Sequence, residues 1–361
     1  MPIAEEIYFI TGNYPEDDLP SPKIRLTSVR NDPTTSHPQR RLLTKAAKYV
    51  AAQLKMSYRL AKVASQVDMV IFYIGGSGLL LPMLTAKLRG KKTILVAVDA
   101  GSVISRNVYR QSFGGMGGLI IYGIVSVLER LNYQLCDNIV ISSPIVVQEF
   151  GLERYKHKIS IAHEHFLDFD RFKVQKPLSE RDNLVGYIGR LSQEKGILNF
   201  VEAIPKVVET RDEAAFLIGG NGQLRLQVEE YATKLSNKVK FVGWIPHNEL
   251  PYYLNELKLL VVPSYTESGP NIAFEAMACG TPVLGTPVGL MADMLNDGKN
   301  GFIMEDNSPK CIAANIIRAV NHPNLEQIAW NARALVEREF THEAAVERYR
   351  EILEGLVTGQ A

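Results

Sequence analysis

Twelve short apolar runs, most of them separated by helix-length segments, constrain the fold of this chain more than any other feature. The first six are Ile7–Thr11, Ile24–Val29, Met69–Ile74, Thr93–Val98, Asn138–Ser142 and Ile159–Ala162. The second six are Leu184–Ile188, Ala215–Ile218, Val239–Val242, Leu259–Val262, Pro282–Leu284 and Phe302–Met304. Apolar runs buried on both sides and joined through helices read as parallel sheets with helices on both faces. The expected class is therefore α/β, with two Rossmann-like domains whose parallel sheets face a cleft. A length of 361 residues agrees with two domains of roughly 150 residues each. The polar, aperiodic stretch Lys173–Asp182 separates the two sets and reads as a linker, giving domains over 1–175 and 183–340.

The three cysteines, Cys136, Cys279 and Cys311, have no metal-like spacing and no disulfide framework, which points to a reducing compartment. The N-terminus shows no basic leader followed by an apolar core, so no signal peptide is expected. The overall net charge of +1 conceals an asymmetry. Residues 1–175 hold 22 Lys and Arg against 15 Asp and Glu, a net of +7, and the remainder is −6. A basic half implies an anionic partner: a membrane surface, a phosphorylated acceptor or a nucleic acid.

Open parallel sheets bind ligands beyond the carboxyl ends of their strands, so the loops there carry the function. After the first strand of the second domain comes GYIGRLSQEKG, 186–196. Gly189 allows close backbone approach, and Arg190 and Lys195 are two cations placed to neutralise a diphosphate. An ordinary strand-to-helix loop with solvated charges explains that segment equally well. After the next strand, IGGNG at 218–222 brings Gly220 and Asn221 into a tight turn, which alone is weak support for a nucleotide cradle.

The segment 261–282, VVPSYTESGPNIAFEAMACGTP, is more specific. A buried strand leads through a polar loop to Gly269 and Pro270, with the proline expected at the first helical position. The N–H groups of Asn271 and Ile272 are then donors at a helix start. Glu267 precedes the helix and Glu275 lies inside it among Ala273, Phe274, Ala276 and Met277. A carboxylate in a largely buried helix needs a partner, and vicinal hydroxyls offer two donors. No G-x-G-x-x-G opens a helix with an acidic residue about 20 positions on, which argues against a nicotinamide enzyme.

These motifs resemble the retaining glycosyltransferases of family 4, which have the two-Rossmann-domain GT-B fold. The matching stretches are GRLSQEKG at 189–196, GGNG at 219–222, FVGWIPHNELPYYL at 241–254, VPSYTESGPNIAFEAMACGTPVLGTPVGL at 262–290 and DGKNGFI at 297–303. The likeness is close from Leu184 to about Leu356. Before that it is looser, resting on strand order, CDNIVISS at 136–143 and LDFDRF at 167–172. The resemblance implies that Arg190 and Lys195 bind the donor diphosphate, that Glu267 contacts the transferred sugar and that Glu275 binds the ribose. It further implies that Gly269 and Asn271 meet sugar hydroxyls and that Trp244 and Ile245 hold the nucleobase. A terminal helix over 341–357 would complete the first domain. The activity implied is transfer of a hexose-type sugar from a UDP- or GDP-sugar to a lipid-linked acceptor or growing glycan, with retention. No metal or other cofactor and no nucleic-acid partner is expected. The alternatives are a nucleotide-sugar epimerase on the same fold, and a donor-binding module without turnover.

The first domain departs from the family pattern. GNYPEDDLPSPK after Ile7–Thr11 cannot form the usual first helix, so the chain is expected to start at the family's second strand. Asp99, Gly101 and Ser102 stand where the family often carries a histidine, and with His163 and His165 they are candidates for lining the cleft in that domain. Asp99 also reads, somewhat better, as a cap of the segment that follows it. His163 and His165 lack further ligands for a metal. From Pro33 to Val67 there is no acidic residue. Arg41, Lys45, Lys48, Lys55, Arg59 and Lys62 recur at helical spacing, roughly opposite a stripe of Leu43, Ala47, Val50, Leu54, Tyr58 and Ala61. A helix covering a sheet would bury that apolar stripe, whereas a membrane-surface helix would leave it free. The uncharged run 111–128 reads as core or interfacial rather than membrane-spanning. The expected location is cytoplasmic, peripheral on an anionic membrane face.

Overall fold

The computed structural model describes residues 6–11, 24–28, 42–73, 78–97, 115–235, 237–267 and 269–358. The chain forms two compact units. One comprises Met1–Ile141, Val147–Ala162 and Tyr349–Ala361, and the other Ser142–Val146 and His163–Arg348.

In the first unit, β1 (Ile7–Thr11) pairs in parallel with β2 (Ile24–Ser28), Ile7 opposite Ile24. A separate sheet holds β3 (Met69–Phe72), β4 (Lys92–Val96), β5 (Asn138–Ile141) and β6 (Ile159–Ile161), all parallel and in chain order. Ile94, Val96, Val140 and Ala162 form its core with Leu356 from the terminal helix, and Tyr349, Ile352 and Leu353 pack against them.

Three helices of this unit bear on the expectations above: α1 (Leu42–Val63), α2 (Leu80–Leu88) and α3 (Gly115–Leu135). The apolar stripe of α1 is not its buried face. Val50, Leu54 and Tyr58 are 49, 57 and 59% exposed, while Gln53 and Leu60 are buried. The cause is polar. The Oε1 of Gln53 accepts the Leu81 N–H at 2.9 Å, satisfying a donor in the first turn of α2 and turning Gln53 inward. Among the described residues no helix is long and apolar enough to cross a membrane.

The second unit is built on six parallel strands: β7 (Leu184–Ile188), β8 (Ala215–Gly219), β9 (Val239–Gly243), β10 (Leu259–Val262), β11 (Val283–Gly285) and β12 (Phe302–Ile303). Their order is β12-β11-β10-β7-β8-β9. Both faces are covered, which is why the strands read as continuous apolar runs. Leu259 and Val261 point to one core with Phe216, Ile218 and Phe302, beneath the helices α5 (Ile197–Thr210) and α10 (Pro309–Val320). Leu260 and Val262 point to the other core, with Phe274, Met277 and Phe340. The strand order reverses between β7 and β10, where Leu259 is in register with Val185. That reversal is the position at which open α/β sheets leave a crevice for ligands.

Residues 173–182 do not form a free tether. Arg181 is buried, and its guanidinium donates to the Leu257 carbonyl at 3.0 Å, the Thr281 hydroxyl at 2.6 Å and the Cys279 carbonyl at 2.8 Å. The stretch is therefore part of the second unit. The terminal helix α12 runs from His342 to Thr358.

Candidate functional site

The loop leaving β7 is fastened on two sides. Its Gly189 N–H donates to the Gly219 carbonyl at 3.0 Å, and its Leu191 N–H donates to the Asn221 carbonyl at 2.9 Å. The close fit depends on Gly220, whose φ is +136°. A Cβ there would stand 1.8 Å from the Gly189 carbonyl oxygen. Gly196 has φ +68° and leads into α5, and a Cβ on it would meet the Pro263 carbonyl oxygen at 2.0 Å. Glycine is thus a steric requirement where the loops after β7, β8 and β10 converge. The Asn221 side chain accepts from its neighbour Gly222 N–H at 2.9 Å and closes that turn.

The two cations of the β7 loop have different surroundings. Arg190 is exposed, with only a long contact of 3.8 Å to Glu194. Lys195 reaches across to the loop after β10, where its Nζ lies 2.6 Å from the Oε1 of Glu267. The same oxygen accepts the Ser264 hydroxyl at 2.7 Å. A backbone bond from the Tyr265 N–H to the Glu194 carbonyl at 2.9 Å ties the two loops together. Ser192 and Arg190 hold the Glu194 carboxyl below its usual range against the opposing effect of burial, which is the largest single influence.

The helix after this loop, α8, spans Asn271–Ala278. Pro270 caps it with a non-helical ψ of 99° instead of occupying its first helical position. The Ala273 N–H closes the first turn onto the Pro270 carbonyl at 2.9 Å. The N–H groups of Asn271 and Ile272 therefore precede the first intrahelical donor, Ala273, as the start of any helix requires. Gly269 sits against the His165 ring, since a Cβ there would be 2.4 Å from Nε2.

Glu275 lies on α8 and is 7% exposed. It has a protein partner that the sequence reading did not include: His247, whose Nε2 is 3.2 Å from the Glu275 Oε1. Burial pushes the Glu275 carboxyl above the usual range, and His247 opposes that. The other ring nitrogen of His247, Nδ1, is 3.0 Å from the Nη1 of Arg171. The only advance signal was a histidine in the polar turn PHNEL within a longer matching stretch.

The remaining candidates separate. Trp244 is exposed at the end of β9, while the next residue, Ile245, is buried under Gly219. His163 and His165 belong to the second unit, not to the first as expected from their position in the chain. His163 is buried, stacked on Phe340 at 4.7 Å and 3.3 Å from the Arg348 guanidinium. Burial, with Arg348 adding to it, pushes its pKa down to about 3, so it is a neutral packing element. Asp99, Gly101 and Ser102 lie outside the described residues.

Residues 168–337 match the family described as glycosyl transferases group 1. The chain is 26% identical to an uncharacterized glycosyltransferase of Methanocaldococcus jannaschii, MJ1607, over 60% of this chain and 56% of that protein. It is 25% identical to a second from the same organism, MJ1069, over 78% of this chain and 73% of that protein. The chain thus spans between about half and three quarters of the length of these relatives. Among solved structures, it is similar to HepE of Anabaena in complex with UDP, with a TM-score of 0.72 and 15% identity over 97% of this chain and 100% of that one. That likeness shows the two-Rossmann-domain GT-B fold.

Proposed function

Through residues 168–337 this chain belongs to the glycosyl transferases group 1, and on that premise we propose that it transfers a hexose-type sugar from a UDP- or GDP-sugar to an acceptor, with retention of configuration. The observation that carries the reading is the convergence at the strand reversal of Lys195, Glu267 and the first N–H groups of α8, with Arg190 exposed alongside. Breaking the bond at the anomeric carbon leaves positive charge on the sugar and negative charge on the departing diphosphate. Arg190 and Lys195 stabilise the diphosphate, and donors fixed before the reaction need no reorganisation during it. Two cations at this place bring the charge that a metal would otherwise supply, so the reading requires no metal. Glu267, held by Lys195 and Ser264, faces the transferred sugar, and Glu275 takes the ribose. HepE, the fold neighbour above, is solved with UDP.

The acceptor in this reading is a lipid-linked sugar or growing glycan at an anionic membrane surface, to which the first unit binds peripherally from the cytoplasmic side. Its support is the outward-facing apolar stripe of α1 beside the exposed Lys48, Lys55, Arg59 and Lys62.

The direct experiment is a thermal-shift screen of UDP, GDP and their hexose derivatives. A ligand that binds only the native state adds about 2.7 kcal/mol at a hundredfold excess over its Kd. A rise in Tm with one nucleotide, followed by acceptor-dependent release of that nucleotide from its sugar, is the expected result. No shift with any of them would overturn the reading.

A further inference from the structure

The motif LDFDRF at 167–172 has no part in the site as read so far, yet it reaches one of its carboxylates. The Oδ1 of Asp168 accepts the N–H groups of Asp170 and Arg171 at 3.1 Å each. Its other oxygen lies 3.7 Å from the Arg171 Nε. The turn so formed directs the guanidinium to His247, and the buried Phe172 packs its ring against that imidazole at 5.3 Å.

The chemistry of the contact decides where the imidazole hydrogen is. A guanidinium has donors and no acceptor. The Nδ1 of His247, 3.0 Å from the Arg171 Nη1, must therefore accept. In the neutral ring the hydrogen is then on Nε2, which donates to the Glu275 Oε1 at 3.2 Å. One oxygen of a buried carboxylate is held by a ring that is itself held on its edge by Arg171 and on its side by Phe172. That contact restrains the rotation of the carboxylate and takes up part of its acceptor capacity.

We propose that Arg171 and His247 are positioning residues that orient Glu275 for the two ribose hydroxyls of the donor nucleotide. This rests on the reading of Glu275 as the ribose-binding carboxylate. It assigns to Asp168, Arg171 and Phe172 the setting of the tautomer and tilt of one histidine. Outer partners that fix a histidine's tautomer matter in metal sites for the same reason. Here the group being aimed is a carboxylate.

The experiment is calorimetry with UDP and GDP, carried forward with whichever binds more tightly and with its 2′-deoxy and 3′-deoxy counterparts. The full chain should prefer the ribonucleotide roughly tenfold or more, the value of a charge-assisted hydrogen bond. His247→Ala should lose most of that preference and bind the deoxy counterparts almost unchanged. His247→Gln, whose amide NH2 can take the place of Nε2–H, should restore it. Arg171→Met, which frees the tautomer, should fall between. A His247→Ala protein that discriminates as the parent does would overturn the proposal, because a merely structural histidine would lower affinity for all three ligands alike. Glu275→Gln distinguishes the two levels of the argument. If it abolishes discrimination while His247→Ala does not, only the positioning role fails. If it leaves discrimination intact in a protein that still binds nucleotide, the ribose assignment fails with it. Failure of both UDP and GDP to bind would remove both.

Discussion

Lys195 and Glu267 form an ion pair of 2.6 Å between the loops after β7 and β10, at the strand reversal of the second unit. A cation read as belonging to the diphosphate and a carboxylate read as belonging to the sugar thus hold each other. Each side chain is mostly shielded from water. The pair should accordingly be worth more than the few tenths of a kcal/mol of an exposed pair. Lys195→Ala and Glu267→Gln should each destabilise the protein, and the double variant by less than their sum. A double-mutant cycle by urea denaturation should give a coupling of about 1–2 kcal/mol. Additive effects would mean that the pair contributes nothing.

The same geometry separates the two glutamates in kinetics. On the proposed reading Glu267 faces the reacting sugar and Glu275 the ribose, so Glu267→Gln should lower kcat with little change in donor affinity, and Glu275→Gln should weaken donor binding. Interactions that strengthen in the transition state appear in turnover. Steady-state rates at saturating donor and acceptor check this directly.

Arg190 and Lys195 predict a contrast between ligands. On the proposed reading, Arg190→Ala and Lys195→Ala should weaken nucleoside diphosphates by roughly tenfold or more while leaving the bare nucleoside nearly unchanged, since each would remove a charge-assisted contact of about 1.5–3 kcal/mol. Calorimetry with uridine and UDP, or guanosine and GDP, measures the difference. Arg190 is exposed and only loosely paired, so its substitution should leave stability alone.

Two glycines outside the usual φ range should behave differently when changed to alanine. Gly298, at φ +68°, has no atom within 4 Å of the position of an added Cβ. Gly298→Ala should cost only the conformational term of about 1–2 kcal/mol. Gly220, at φ +136°, would drive its Cβ onto the Gly189 carbonyl. Gly220→Ala should cost more than about 3 kcal/mol and distort the loop after β7, which the proposed reading gives to the diphosphate. Urea midpoints and nucleotide affinity of the two variants make the comparison.

The inner strands of the second unit could be read in the sequence because strands buried on both faces carry few polar positions, whereas the edge strand β9 carries the exposed Lys240. Phe216–Ile218 and Leu259–Val262 are unbroken apolar runs for that reason. The loops that follow them were legible through glycine. What could not be read depends on contacts between distant segments. Nothing near Glu275 in the chain announces His247, and nothing near Lys195 announces Glu267. Helical spacing in α1 separates a basic face from an apolar one but says nothing about which turns inward. The inward side carries Gln53, which accepts the Leu81 N–H, together with Leu60. Pro270 was placed one position too far into its helix, because a proline fits either a cap or a first turn.

His163 gives the protein a pH dependence of known sign. Its folded pKa is near 3, while an unfolded histidine titrates near 6.5. Between these values the unfolded chain binds the extra proton, so the stability contributed by neutral His163 is complete above about pH 6.5 and is lost as pH falls toward 3. From pH 7 to pH 5 the loss should approach about 2 kcal/mol. His163→Gln should remove that part of the slope. Urea denaturation of both proteins at pH 7 and pH 5 tests it, and equal slopes would count against a neutral buried imidazole.

The exposed face of the first unit leads to the remaining prediction, that the protein binds anionic vesicles through α1. Had Val50, Leu54 and Tyr58 been buried, the lysines of α1 would be the solvated side of a covering helix. They are instead about half exposed or more. Leu119, Ile124 and Val127 of α3 are exposed as well, and so is Leu88 at the end of α2. Apolar side chains outside, with basic residues on the same helix and no acidic residue from Pro33 to Val67, suit an interface of anionic headgroups above acyl chains. Each basic residue near such a surface contributes about 1 kcal/mol, screened by salt. Cosedimentation should therefore require anionic lipid, weaken between low and physiological salt, and fall when Lys48, Lys55 and Arg59 become glutamine. Leu54→Ser with Tyr58→Ser should weaken binding at low salt too, because insertion of apolar groups is not screened. Equal binding to anionic and neutral vesicles at low salt would contradict the prediction. So would a stable dimer whose formation protects Leu54 and Tyr58, since a second copy would then account for the exposed face.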